Sequence, residues 1–157
     1  MPHRTSAGLL MFRRKGNQLE VFLVHPGGPF FKTKDEGYWT IPKGEPDEGE
    51  DLFDTARREF REETSFPLDE KATFIPLGQV KQKAGKVVHA WAFEGDCDPS
   101  ALKCNFMKVQ YPPGSGKWLS FPEVDKGAFF TIDEARVKIN AAQSAFLDRL
   151  LEALETG

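Results

Sequence analysis

From Gly44 the chain reads Gly-Glu-Pro-Asp-Glu-Gly-Glu, then Asp-Leu-Phe-Asp-Thr-Ala-Arg-Arg-Glu-Phe-Arg-Glu-Glu-Thr-Ser-Phe to Phe66. A turn rich in Gly and Pro feeds a segment with neither until Pro67. Phe53, Ala56 and Phe60 fall at helical spacing, which predicts a loop running into an amphipathic helix. At about 100° per residue, Glu59, Glu62 and Glu63 share one face beside the apolar stripe. Three carboxylates crowded there repel one another unless a positive charge sits between them. A hard divalent cation, held through oxygen, reverses that sign. For the glutamates by themselves the alternative is a solvated acidic face.

The 157 residues suffice for one domain with a real core, so a single domain over 1–157 is expected. Charged residues at 29% against hydrophobic at 39% place the chain among globular proteins, not disordered ones. No apolar run approaches the roughly 20 residues that span a bilayer. The start, Met1 to Ser6, lacks the apolar core of a signal peptide. A net charge of −3 argues against a stable nucleic-acid complex, but not against a small anionic substrate bound through metal. Cys97 and Cys104 are the only cysteines, and two free thiols in a reducing cytosol are expected over a disulfide. The expectation is a cytoplasmic monomer or homodimer with no membrane partner.

Along the chain, Ser6–Arg14 and Leu19–His25 read as strands joined by a hairpin turn at residues 15–18. Tyr38–Ile41 reads as a short strand stopped by Pro42. Thr73–Lys81 and Lys86–Glu94 are further strands, the second covered on both faces. Residues 96–116, rich in Asp, Pro, Gly and Ser, read as a mobile loop. A short strand at Lys126–Phe130 precedes a helix with Thr131 as N-cap and Glu134 as its reciprocal partner. Asn140–Leu154 reads as a terminal amphipathic helix. Strands before and after one central helix, with more helix at the end, give α/β or α+β with a mixed sheet between helical layers.

The spacing around the acidic run is more specific than its charge. Gly44, five residues, Glu50, seven residues, then Arg58-Glu59-Phe60-Arg61-Glu62-Glu63-Thr64-Ser65-Phe66 resembles the Nudix box. Every fixed position matches except the last Gly, which is Ser65 here; Gly at that position supplies a left-handed helix cap. The resemblance implies a three-layer α-β-α sandwich around a mixed sheet. It implies a hydrolase of phosphoric anhydride bonds that uses Mg²⁺ or Mn²⁺, with Glu59, Glu62 and Glu63 as ligands. Glu59 and Glu63, one turn apart, are expected to grip one ion, joined by a backbone carbonyl at Lys43 or Gly44. Arg58 is expected to orient the acidic residues, and Glu50 has a structural role. Some Nudix enzymes place a glutamate six residues before the aromatic that opens the last strand. Glu123 stands so before Phe129 and is, with Glu59, a candidate base or ligand; Asp125 is the alternative.

Lys43 is a candidate phosphate contact, and Lys81, Lys83 and Lys86 form a second basic group. Tyr38, Trp39, Phe30 and Phe31 are candidates to stack on a base, with packing as the alternative. His25 and His89 sit in apolar strands and read as core residues. Trp39-Thr40-Ile41-Pro42-Lys43-Gly44 looks like the segment before the box in Nudix enzymes that cleave dinucleoside polyphosphates. The expected substrates are dinucleoside polyphosphates or nucleoside triphosphates. A Nudix-like module that senses a nucleotide without turnover is the rival reading.

Overall fold

The structure is a computed structural model that describes residues 4–156; Met1, Pro2 and His3 of the start discussed above lie outside them. Its centre is β1 (Thr5–Lys15), buried from Ser6 to Phe12. On one side β1 pairs in parallel with β5 (Val87–Glu94), from Thr5 opposite Val87 to Phe12 opposite Glu94. On the other it pairs antiparallel with β2 (Gln18–Pro26), but only over Phe12–Lys15. Beyond Phe12 the two strands part, and residues 40–44 fill the gap. Thr40 exchanges both backbone hydrogen bonds with Val24, at 2.9 and 3.0 Å. The two-residue strand β3 (Lys43–Gly44) pairs with Gly8 and Ala7 of β1. The expected Tyr38–Ile41 strand is thus reduced to single bridges at Trp39 and Thr40, and the true strand lies past Pro42.

The sheet is completed by β4 (Ile75–Lys81) at one edge and β8 (Val124–Thr131) at the other, in the order β4-β5-β1-β2-β8. Alternation along the central strands sends side chains into two cores. Ala7, Leu9 and Met11 of β1, with Phe22 and Val24 of β2, meet Ala56 and Phe60 of α1 (Leu52–Thr64). Leu10, Phe12, Val21 and Leu23 point the other way. They meet α2 (Ile132–Lys138) at Ala135, and Phe146, Leu147 and Leu150 of α3 (Ser144–Thr156). A mixed sheet between helical layers is the three-layer sandwich expected. Each fully buried side chain such as Phe60 contributes about 1.5–3 kcal/mol of transfer free energy.

Thr131 and Glu134 form the reciprocal capping box read from the sequence. Cys97 and Cys104 are both free thiols. His25 is buried, with its ring nitrogens facing the Lys34 carbonyl and the Asp125 carboxylate. The region 96–116 is corrected: it contains β6 (Phe106–Gln110), which pairs with β7 (Trp118–Pro122) as a separate two-stranded sheet. Pro and Gly punctuate that stretch at its ends and hide the alternating residues between. Among the described residues no helix is long and apolar enough to cross a membrane.

Ser65 keeps the geometry that the missing glycine would have given. It is the one non-glycine residue at positive φ among the described residues, at φ 64° and ψ 11°. Its N–H donates to Arg61 O at 2.8 Å and its hydroxyl to Lys103 O at 2.7 Å. The hydroxyl bond offsets part of the roughly 1–2 kcal/mol that the left-handed region costs an L-residue. Ser65→Ala loses that bond and keeps the strain, whereas Ser65→Gly loses the bond and the strain together. Thermal melts should rank Gly above Ala by about 1 kcal/mol; the reverse order would contradict a left-handed cap.

Candidate active site

Two glycines set the position of the site. A Cβ on Gly8 would lie 2.3 Å from Pro42 O, so only glycine lets the Pro42–Gly44 segment lie against β1. A Cβ on Gly44 would lie 2.1 Å from Glu59 Cδ, so the Glu59 carboxylate rests directly on the Gly44 backbone. Asp51 caps α1, accepting from the Phe53 and Asp54 N–H groups. The helix therefore starts just where Glu59, Glu62 and Glu63 come to face β3.

Arg58 organises the carboxylates. Its Nε and Nη2 donate to the two oxygens of Glu50, both at 2.9 Å. Nη2 also donates to Glu45 O at 3.1 Å, and Nη1 to Glu59 Oε1 at 2.9 Å and Glu62 Oε2 at 3.0 Å. All five guanidinium N–H bonds are thereby used. Glu50 is held further by the Thr55 hydroxyl and the Asp47 N–H. The Arg58 bonds above all, then these two, pull its carboxyl down to about 2. Arg58 itself is raised, first by its bond to Glu50.

The remaining carboxylates move the other way. Glu63 is 6% exposed, and its Oε2 accepts the Lys43 N–H at 3.1 Å. Burial, then the Glu59 charge, push its carboxyl well above the usual range. Burial also raises Glu59, against the pull of Arg58. Glu123, between β7 and β8, is raised by partial burial of its carboxyl and by Glu62. Its backbone is fixed by Asn105 O, at 3.0 Å, and by the Gly27 N–H, at 2.9 Å. The structure thus brings Glu59, Glu62, Glu63 and Glu123 to one end of the sheet with Lys43 and Gly44.

No three carboxylate, imidazole or thiol groups among the described residues converge on one point at ligating distance. The two glutamates expected to share an ion, Glu59 and Glu63, have different partners within the chain. Glu59 is drawn to Arg58 and Glu63 to the Lys43 backbone. Asp125 turns away to His25 at 2.9 Å. Trp39 is also corrected: it is 4% exposed, its indole N–H donates to Asp35, and its ring packs edge-on against Phe130 and His25. It is core and does not face a ligand. Tyr38, by contrast, is 41% exposed and lines a cavity of about 650 Å³ with Phe31, Lys43, Lys81, Lys83 and Gln143. The Lys43 amine is lowered by burial, with Glu63 opposing.

Gln143 was not legible as a site residue. It is buried, its Oε1 accepts the Ile41 N–H at 3.1 Å, and its Nε2 donates to Thr40 and Gln82. It ties the segment before the box to the β4–β5 turn. A polar residue directly after Ala141 and Ala142, at a helix start, was the one available signal.

The NUDIX domain family model matches residues 2–150, and the chain belongs to that family. RNA pyrophosphohydrolases of Rhodopseudomonas palustris and Bradyrhizobium diazoefficiens are 36% and 34% identical over 76 residues. Each match covers 48% of this chain and 44% of the relative, less than half of its length. Among solved structures, a C. elegans Ap4A hydrolase binary complex superposes with a TM-score of 0.69 at 22% identity, covering 97% of this chain and 99% of that one. The NUDIX domain of Shewanella oneidensis NrtR, complexed with ADP ribose, gives 0.68 at 16% identity, covering 98% and 90%. At such identities these two show the fold.

Two outcomes test the electrostatics. Arg58→Lys keeps the charge but loses the fork, and should cost about 1.5–3 kcal/mol in urea unfolding. Glu63 carries a carboxyl raised above its unfolded value, so folded protein holds its proton more tightly. Stability then falls as pH rises from the unfolded carboxylate range through the raised value. In chelator at pH 7, Glu63→Gln should therefore melt higher than the parent, about 2–4 °C per kcal/mol relieved. At pH 4 the gap should close.

Proposed function

We propose that this chain is a single-domain, divalent-metal-dependent pyrophosphohydrolase that cleaves a nucleoside diphosphate linked to a further group. The observation that carries the reading is four carboxylates at one end of the sheet: Glu59 rests on the Gly44 backbone, Glu63 accepts the Lys43 N–H, Glu62 shares Arg58 with Glu59, and the Glu123 carboxyl feels the charge of Glu62. Nudix hydrolases generally use divalent metals. The donor set fits Mg²⁺ or Mn²⁺: hard oxygens, more negative charge than Arg58 neutralises, and carboxyls raised first by burial and then by one another's charge. Glu59, Glu62, Glu63, Glu123 and the Gly44 carbonyl would hold the cation. When bound, it neutralises phosphate charge and lowers the pKa of its water.

The chain's own groups do the rest. Arg58 keeps its two-pronged hold on Glu50, and so fixes the helix face whatever Glu59 and Glu62 contact. Glu59 and Glu123 are the candidates to accept the proton of the attacking water, since burial raises the carboxyls of both. Lys43, at the wall of the cavity, meets the phosphate chain, and Tyr38 and Phe31 offer faces to a base. Dinucleoside polyphosphates and nucleoside triphosphates are the substrates this reading expects. The named activity of the relatives adds RNA, and that of a structural neighbour Ap4A.

Two measurements test this. A panel of ATP, ADP-ribose and diadenosine tetraphosphate, assayed with excess Mg²⁺ and read by product mass, should show anhydride cleavage. A folded Glu62→Gln/Glu63→Gln double variant should lose at least about a hundredfold in rate. Parental rates in that variant would sink the assignment. Mg²⁺ should also raise the parent's melting temperature by mass action. Tight nucleotide binding without any product would instead identify a sensing module.

A further inference from the structure

The β6–β7 ribbon stands outside the main sheet. Its register sets Phe106 opposite Pro122, Lys108 opposite Ser120 and Gln110 opposite Trp118. Paired residues, and those two apart along a strand, share a face. Phe106, Lys108, Ser120 and Trp118 therefore stand on one face and Met107 and Phe121 on the other. The second face turns to the loop after β2. Met107 Cε lies 2.9 Å from where a Gly28 Cβ would be, and the Tyr111 ring meets Phe30 at 6.0 Å. On the first face, Phe106 is 69% exposed and Trp118 62%. Lys108 and Ser120 are exposed between them.

The chemistry of this face selects its occupant. Residues 103–122 contain Lys103, Lys108 and Lys117 and no carboxylate. Residues 26–34, against which the ribbon packs, add Lys32 and Lys34 and again no carboxylate. In a chain of net charge −3 this is a local cationic region. A self-association surface gains little from an ammonium set between two rings, because interface cores are depleted in lysine. A single strand of nucleic acid matches it: every base has a π face to stack, and every linkage a charge to neutralise. The ribbon also leads to the site. β7 runs straight into Glu123, and Trp118 lies five extended steps back, about 17 Å at the rise of a strand.

We propose that the outer face of the ribbon, through Phe106, Lys108 and Trp118, binds the single-stranded part of a 5′-polyphosphorylated oligonucleotide whose phosphorylated end lies at the carboxylates. This rests on the pyrophosphohydrolase reading of those carboxylates and names a longer substrate for them. Whole-chain charge argues against nucleic acid only as an average; the contact is local.

Binding of a labelled ten-nucleotide RNA with a 5′-hydroxyl end, read by anisotropy in chelator, separates the ribbon from catalysis. The parent should bind at low salt, with a log–log salt slope of about −0.7 for each phosphate neutralised. Phe106→Ala and Trp118→Ala should each weaken binding by about tenfold, with unchanged melting temperature. Lys108→Gln should flatten the slope by about 0.7. In turnover, the Phe106→Ala/Trp118→Ala variant should lose kcat/KM on triphosphorylated RNA and keep it on ATP. No RNA binding by the parent, or equal binding by the double variant, overturns the proposal. So does a shift from dimer to monomer in sedimentation with RNA binding untouched, which would make the face a self-association surface. Ribbon-dependent RNA binding without turnover of any polyphosphate would sink the pyrophosphohydrolase reading and leave the ribbon site supported.

Discussion

The site depends on one guanidinium. Glu50, Glu59 and Glu62 meet within reach of a single side chain, and without it their mutual repulsion would spread them into solvent. Arg58 spends its five N–H bonds on three carboxylates and one backbone carbonyl, so its position is over-determined. Glu50 is the anchor, itself held by Thr55 and the Asp47 backbone. Glu59 and Glu62 are the other two carboxylates of the same network. The depressed carboxyl and the raised ones are therefore two sides of one arrangement. The carboxylate nearest the full fork is held ionised, and those reached by less of it, or not at all, carry the cost of burial.

That network was legible because a helix has a fixed pitch. Arg58, Glu59, Glu62 and Glu63 lie within two turns, so sequence spacing determines which of them share a face. The capping box at Thr131 was readable for the same reason. What the spacing did not carry was the tertiary placement of that face. Residues 40–44 occupy the split between β1 and β2, a fact that depends on Gly8 meeting Pro42 across more than thirty residues. Trp39 illustrates the limit. An aromatic beside a glycine-rich loop looks the same in sequence whether it faces a ligand or the core. Only its packing on Phe130 and His25 decides.

The β6–β7 ribbon was hidden by composition. Pro112, Pro113, Gly114 and Gly116 mark its turn, and Asp98 and Pro99 precede it, so the stretch reads as loop. Its two strands of five residues pair only with each other, and a strand that short carries little alternation to detect. Ser65 went the other way. The sequence departs from the family pattern, and the backbone does not, because a hydroxyl bond to Lys103 holds the left-handed turn.

Gly8 and Gly44 tie the carboxylate helix to the central strand of the sheet. The groups that would meet the far end of a ligand sit instead on the 26–38 loop, the β4–β5 turn and the ribbon, each joined to the sheet at few points. Mutation can rewrite those segments without disturbing the core, while almost any side chain at position 8 or 44 collides with backbone or with Glu59. A lineage built on this architecture can diversify what it recognises while its chemistry stays frozen.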